Sequence, residues 1–388
     1  MSLDVTDWYN RSSSGCSCGH THYGLTVDTF SIRNGALYEL RSYLLDKGWR
    51  DVHLVSDAQT NEAAGEKLVR YLSEEINVER TTVLPDRNGD VIADEQAIMQ
   101  VITEASREAD VFIAVGAGTV HDITRFASHT VGKPFIAVPT APSVDGFNSM
   151  GAPIVLRKKK ITYQTQAPVA LFADLDVLRE APRAMTAAGF ADILGKYTSL
   201  TDWSFGAVMA GEPYCPAAAR MTQEALDQAV SAKDEIRMGT SFGMEQLFEA
   251  LLKSGMAMSL FGRSHPASGG EHHLSHYWEM AFLEEGRKQL LHGEKVGVAT
   301  GLIADLYHGE VLEKVFRDPA LDAGQRKGIE ALIGQLPTGE EIRMMLKAAG
   351  GKTSLAELNI EPALYEKSKA HAHTLRDRKT MLHYLNTV

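Results

Sequence analysis

The sequence predicts an α/β amino-terminal domain on a mostly parallel sheet, residues 1–182, and an all-α carboxyl-terminal domain, residues 183–388. Two observations predict it. Up to about residue 180, short continuous apolar runs such as VFIAV (111–115) and PFIAV (134–138) alternate with helical patterns, as strands buried on both faces of a parallel sheet do. Beyond Pro182 the apolar residues recur at helical spacing and few strand signals remain. A chain of 388 residues accommodates both domains, and the cleft between them is the default place for a ligand.

Residues 12–15 (SSSG) form a loop-like tract expected to lead into the first ordered element. Residues 52–55 (VHLV) predict a strand, and residues 61–76 a helix with Ala64, Leu68, Leu72 and Ile76 on one stripe. Residues 80–84 suggest a further strand and 94–108 a further helix. Strand 111–115, helix 120–130 and strand 134–138 make a βαβ unit, whose crossover is almost always right-handed. Residues 169–173 add another strand. In the second half, helices are predicted over 185–197, 216–236, 244–260, 270–285 and 293–307.

Composition narrows the function. The net charge of −11 argues against nucleic acid or a membrane surface as partner, since both demand a basic excess. A small phosphorylated ligand in a local basic pocket is still allowed. No apolar run approaches the roughly 18 to 20 residues of a membrane helix, and residues 1–10 lack a signal-peptide pattern. Three cysteines cannot staple a chain of this size, so a reducing, cytoplasmic location is expected.

The turn GAGTVHD (116–122) directly follows a buried strand and opens a helix. There, glycines let backbone N–H groups approach an anion, and the helix amino end favours negative charge. The third glycine of the dinucleotide fingerprint is absent, with His121 in its place. Asp57, just past a strand, is placed to accept hydrogen bonds from a ribose diol or, alternatively, to cap a turn. The segment PTAPSVDG (139–146) ends the next strand, where open α/β sheets bind ligands. A plain proline-rich turn is its alternative.

A second constellation lies in the helical half. In GEHHLSH (270–276), His272 and His276 are four apart and share one helix face. His292 opens the next helix, and Asp192 lies in the first helix of this half. Asp192, His272 and His292 could point from three helices into one cleft, giving three N/O donors and an open position, the pattern of a catalytic divalent metal. His276 would be left to contact substrate or relay a proton. With 14 histidines in the chain, chance pairing of surface or capping residues is the alternative. The motif is H-H-x-x-H, so a metalloprotease would lack its general base. Two weaker tracts remain. CSCGHTH (16–22) offers zinc donors at a spacing matching no familiar module, so a loop with incidental thiols is the favoured reading, and RKKK (157–160) is a solvated turn or a reach toward phosphate.

In combination and in this order, GAGTVHD, PTAPSVDGFNS, AGFADILGK, SGGEHHLSH and LHGEKVG resemble the metal-dependent polyol dehydrogenase superfamily. That superfamily holds glycerol dehydrogenase, dehydroquinate synthase and glycerol-1-phosphate dehydrogenase, and the sequence looks most like its bacterial glycerol-1-phosphate dehydrogenases of the AraM type. The resemblance spans residues 57–292. It implies a Rossmann-like sheet and a dehydroquinate synthase-like helical domain, the first binding nucleotide, the second metal and substrate. By resemblance, Gly116, Gly118, Thr119, Val120, His121 and Asp122 cradle the pyrophosphate of NAD or NADP. Asp57 takes the adenosine ribose, leaning toward NAD, and Thr140, Ala141, Pro142, Ser143 and Ser149 line the nicotinamide side. Asp145, Asp192 and His276 meet the substrate, the last two as catalytic residues, and Asp192, His272 and His292 hold one divalent ion, nickel or zinc. The chain departs from the pattern at Ala117 and Thr119, and at His265, where many relatives have arginine; Arg263 and Lys160 become the candidates for the substrate phosphate.

The implied activity is reversible reduction of dihydroxyacetone phosphate to sn-glycerol 1-phosphate in a homodimer. Its rivals on the same scaffold are a glycerol dehydrogenase acting on unphosphorylated polyol and a dehydroquinate synthase-like cyclase, the synthases spending more lysines and arginines on a phosphonate-like group than this cleft is expected to hold. A nucleotide-independent metallohydrolase is disfavoured by the glycine turn. A non-catalytic nucleotide sensor is disfavoured by the intact metal donors.

Overall fold

The two apolar runs become the centre of the sheet. The computed structural model describes residues 5–157 and 159–387. Its strands are β1 (Thr29–Arg33), β2 (Asp51–Asp57), β3 (Asn77–Val83), β4 (Val111–Gly116), β5 (Phe135–Pro139), β6 (Gly151–Leu156), β7 (Lys159–Gln164) and β8 (Ala170–Asp174). Six form one parallel sheet ordered β1-β8-β5-β4-β2-β3, while β6 and β7 pair as an antiparallel hairpin. β4, β5 and β8 are buried along their whole length, which is why they read as unbroken apolar runs. Successive residues serve opposite faces. Ile113 and Ile136 join one core with Leu54 and Phe172, and Ala114 and Ala137 join the larger core shared with the helical half.

The chain moves from β2 outward to β3 and then returns to β4 on the other side of β2. The carboxyl ends of β2 and β4 therefore flank the reversal point, where such sheets open a ligand crevice. Gly116 pairs with Pro139 in the β4–β5 register, so the two loops singled out from sequence start side by side.

Several expectations are corrected. Residues 12–15 do not precede the first ordered element, because Ser12 and Ser13 close a helix, Val5–Ser13, anchored by buried Val5, Trp8 and Tyr9. The stripe from Ala64 to Ile76 is buried as expected, but the helix proper is Glu66–Leu72 after a π-helical turn at Asn61–Gly65. Helix 94–108 is Glu95–Glu104, capped by the Asp94 side chain. The helix expected over 185–197 breaks at Gly195 into Arg183–Leu194 and Lys196–Ala210. The one over 216–236 breaks at Ala232. β1 and the hairpin add strands to those expected from the sequence, each of them only partly buried. Part of the basic run 157–160 forms the hairpin turn, with Arg157 at φ 49° and Lys158 outside the described residues.

The helices Ser241–Phe261, Gly270–Glu285 and His292–Leu306 complete the part of the second half that matters for the site. Two glycines set its geometry. A Cβ on Gly189 would lie 1.8 Å from the Pro142 carbonyl oxygen, and one on Gly293 would lie 1.8 Å from that of Ala188. Helix Arg183–Leu194 is thus held tightly between the loop after β5 and helix His292–Leu306. That contact brings Asp192 beside His292.

Candidate active site

A cleft of about 670 Å³ lies between the halves, lined from one side by Gly118, Thr119 and Ser143 and from the other by His272, His276 and His292. Its volume is that of a small-molecule or cofactor site.

On the sheet side, no side chain caps helix Gly118–Thr130, whose first turn lines the cleft through Ala117, Gly118 and Thr119. Its first N–H groups form an anion-binding end. Asp122 also lines the cleft; burial pushes its carboxyl up to about 7 against the pull of Arg125, whose Nη1 lies 2.6 Å away. Fully buried Arg125 also donates to the carbonyls of Gly146, Phe147 and Gly151, fastening the loop after β5 to this helix. Ser143, Asp145 and Ser149 on that loop line the cleft.

Other predicted cofactor residues do not line it. Val120 is core, and His121 is a buried imidazole bonded to the Ala117 carbonyl, edge-on to Phe147 and pushed down to about 3 by burial. Gly116, Thr140, Ala141 and Pro142 lie in the strand ends and loop, with Thr140 N–H donating to Gly116. Asp57 caps the turn after β2, accepting from Thr60 N–H at 2.8 Å.

On the helical side, donor atoms of Asp192, His272 and His292 all lie within 4.8 Å of one another. Asp192 is fully buried, its Oδ1 3.8 Å from His272 Nε2 and its Oδ2 accepting from Asp145 N–H. Buried Glu271 sets the His272 tautomer. Its carboxylate accepts from Nδ1 at 2.7 Å, and from Thr198 Oγ1 and Gly269 N–H at 2.6 Å. With Nδ1 carrying the proton, the Nε2 lone pair is free toward Asp192, the arrangement that orients metal-binding histidines. Lys196 is buried between two carboxylates, 2.8 Å from Asp145 Oδ2 and 3.1 Å from Asp192 Oδ1. Burial opposes its charge, but those carboxylates outweigh burial and hold the ammonium above its ordinary pKa.

His292 belongs to a second set with His276 and Glu279. Glu279, however, is ion-paired with Lys160 at 2.7 Å and Lys295 at 3.1 Å. Three carboxylates facing one lysine suit a dication; one carboxylate facing two lysines repels it. The Asp192, His272, His292 set therefore fits a divalent ion. Arg376 Nη2 donates to His276 Nδ1 at 3.3 Å, which leaves His276 Nε2–H as a donor.

Four basic groups line the cleft: Lys160, Arg263, Lys295 and Arg376. His265, by contrast, is a core histidine between Trp203 and Phe261. Sequence reasoning missed Glu271, Lys196, Lys295 and Arg376. The first three sit inside the motifs: Glu271 adjoins His272, Lys196 is four residues from Asp192, and Lys295 is three residues after His292. Arg376 carries no such signal, lying 100 residues from its partner His276.

Comparison with known proteins agrees with this architecture. The profile of the iron-containing alcohol dehydrogenase family matches residues 31–182. Solved structures of similar fold include maleylacetate reductase from a Rhizobium species (TM-score 0.67, 16% identity, 95% of this chain and 97% of that one). Another is glycerol dehydrogenase from Schizosaccharomyces pombe (TM-score 0.64, 20% identity, 93% and 85%). The fold is thus of the iron-containing alcohol dehydrogenase type. Within that class, the chain is 47% identical to the NAD(P)+-linked glycerol-1-phosphate dehydrogenase of Halalkalibacterium halodurans, covering 97% of this chain and 96% of the relative. The Pyrococcus horikoshii protein of the same name is 32% identical, over 83% of each. The chain belongs to the glycerol-1-phosphate dehydrogenase family.

Proposed function

We propose that this chain catalyses the reversible NAD(P)-linked reduction of dihydroxyacetone phosphate to sn-glycerol 1-phosphate. The observation that carries it is the partition of charge around His292: an acidic corner of Asp145, Asp192 and Glu271 beside a basic one of Lys160, Lys295 and Arg376. A triose phosphate offers an oxygen pair to the first and a phosphate to the second. The names of the relatives support the same substrate.

Asp192, His272 and His292 would hold the divalent ion, zinc or nickel, both accepted by such donors. When bound, the metal supplies a Lewis acid for a substrate oxygen and the nicotinamide supplies or accepts the hydride. The chain's own residues do the rest. Glu271 keeps His272 in its binding tautomer. In the reduction, His276 Nε2–H donates to the substrate oxygen, and the proton that this oxygen finally takes is replaced on the imidazole from solvent. Lys160, Lys295 and Arg376 orient the phosphate, with Arg263 close by. Asp145, held by Lys196 and the Ser254 hydroxyl, meets the substrate hydroxyl side. The uncapped start of helix Gly118–Thr130 receives the pyrophosphate, Ser143 and Ser149 face the nicotinamide, and Asp57 takes the ribose, favouring NAD over NADP. A homodimer in the cytoplasm is the accompanying proposal, and light scattering tests the first half of it.

The test is NADH oxidation with dihydroxyacetone phosphate against dihydroxyacetone, with added metals and after chelation, followed by chiral analysis. Turnover of the phosphate at least 100-fold above that of the unphosphorylated ketone, abolished by chelation and giving the sn-1 product, is expected. Equal turnover of both ketones would move the chain to the polyol dehydrogenases. His272→Ala should lose cleft metal and activity together while NADH binding survives.

A further inference from the structure

All three cysteines of the chain meet at one point, although Cys215 is some 200 residues from the other two. Cys16, Cys18, His22 and Cys215 place their donor atoms within 4.8 Å of one another, Cys215 buried and the others half-buried. Cys16 Sγ lies 3.7 Å from Cys215 Sγ, and His22 Nε2 lies 3.2 Å from Cys18 Sγ and 3.3 Å from Cys215 Sγ. A tetrahedral zinc ion with bonds of about 2.3 Å to sulfur and 2.0 Å to nitrogen sets neighbouring sulfurs about 3.8 Å apart and sulfur and nitrogen about 3.5 Å apart. The observed spacings fall close to both values.

We propose that Cys16, Cys18, His22 and Cys215 form a structural zinc site, distinct from the metal set of the cleft. Three thiolates and an imidazole complete a closed tetrahedron with no position for substrate, the chemistry of a structural rather than a catalytic ion. Soft sulfur donors select zinc over the harder ions that carboxylates prefer. The second strand of support is where the donors sit. Cys215 caps helix Pro216–Ser231 and accepts from Ala218 N–H at 3.4 Å, so its sulfur is held at a fixed point of the helical half. Cys16, Cys18 and His22 lie on the loop that follows helix Val5–Ser13, so the ion would fasten the amino-terminal segment to the helical half. One residue beyond His22, Tyr23 donates its N–H to the Leu260 carbonyl and lines the substrate cleft. The ion thus fixes one wall of the active site from outside it.

The experiment is metal analysis of the purified full-length chain, wild type beside His272→Ala and Cys18→Ser, with cobalt-loaded samples read by visible absorption. Wild type should hold one zinc equivalent beyond the cleft metal. His272→Ala should keep that equivalent and the intense thiolate-to-cobalt charge-transfer band, and Cys18→Ser should lose both and melt at lower temperature. Should Cys18→Ser fail to fold, the cobalt spectrum of His272→Ala decides alone. A single metal equivalent that disappears in His272→Ala, no thiolate band in wild type, or a Cys16–Cys215 disulfide in the native mass spectrum would each overturn the proposal.

Discussion

Replacing Glu271 by Gln changes one charge and almost no volume at the residue that orients His272. The carboxylate accepts three hydrogen bonds, from His272 Nδ1, Thr198 Oγ1 and Gly269 N–H. A Gln oxygen still accepts from His272 and Gly269, and the Thr198 hydroxyl can turn to accept from the new amide, so no buried group is orphaned. What is lost is the charge assistance to the imidazole. Hydrogen bonds to an ionised partner contribute about 1.5–3 kcal/mol against about 0.5–1.5 for neutral ones, so the bond to His272 weakens by about 1–2 kcal/mol. That corresponds to about a 5- to 30-fold loss of metal affinity, in line with the 10- to 100-fold typical of such outer partners. Metal titration of the chelated enzyme, followed by NADH oxidation, reads it directly. The variant should need more metal for half-maximal activity, approach wild-type kcat at saturation, and keep its circular dichroism. Unchanged metal affinity would refute the orienting role of Glu271; lost activity that excess metal does not rescue would refute the separation of orientation from catalysis.

Gly189→Ala puts a methyl carbon 1.8 Å from the Pro142 carbonyl oxygen, so the helix or the loop must move; a loss of about 1–3 kcal/mol or more in denaturant unfolding is expected, with a higher KM for NADH. Lys160→Met should raise KM for dihydroxyacetone phosphate about 10- to 100-fold and leave KM for NADH within about two-fold, because Lys295 still neutralises Glu279; equal change in both constants would remove Lys160 from the phosphate corner. His53, buried in β2 against Phe112 and bonded to Thr81, is lowered to about 4 by burial. Between pH 6.5 and 4 the unfolded chain therefore takes up a proton that the folded chain refuses, and stability falls with pH. His53→Gln should reduce the loss in unfolding free energy from pH 7 to pH 5 by about 2 kcal/mol relative to wild type, and an identical loss in both would contradict the burial effect.

The sheet was legible where burial is two-sided. β4, β5 and β8 announce themselves because every residue meets a packed layer, so selection for apolar side chains leaves an uninterrupted run. β1 and β3 lie at the sheet edges, and their mixed sequences, TFSIR and NVERTTV, carry the weaker pattern of strands that meet solvent. The hairpin β6–β7 is more exposed still, and its basic turn reads as a loop. Helix ends were misplaced where a helix breaks without a strong stop signal, as at Gly195 and Ala232. That Asp192, His272 and His292, the proposed metal donors, converge was legible because each sits within a short motif at a helix face or start. Their supporting groups divide by distance along the chain: Lys196 is four residues from Asp192 and Glu271 adjoins His272, whereas Arg376 reaches His276 only through the tertiary fold. Asp57 shows what position alone does not reveal: its Oδ1 closes a capping box with Thr60, which leaves the other carboxylate oxygen for the proposed ribose contact.

The buried Lys196 explains how the acidic corner can exist at all. Asp192 and Glu271 are buried and Asp145 is nearly so, and three unopposed carboxylates there would each cost several kcal/mol or take up a proton. One ammonium between Asp145 and Asp192 removes part of that repulsion, and the hydrogen bonds from Thr198, Gly269 and His272 spread the charge on Glu271. Two formal negative charges remain, matching a dication in magnitude. A methionine at 196 would fill similar space but leave three, and a second lysine would leave one. The protein charges of this corner therefore suit the proposed dication, and those of the basic corner across His292, where lysines outnumber the carboxylate, suit the dianion of the proposed phosphate monoester.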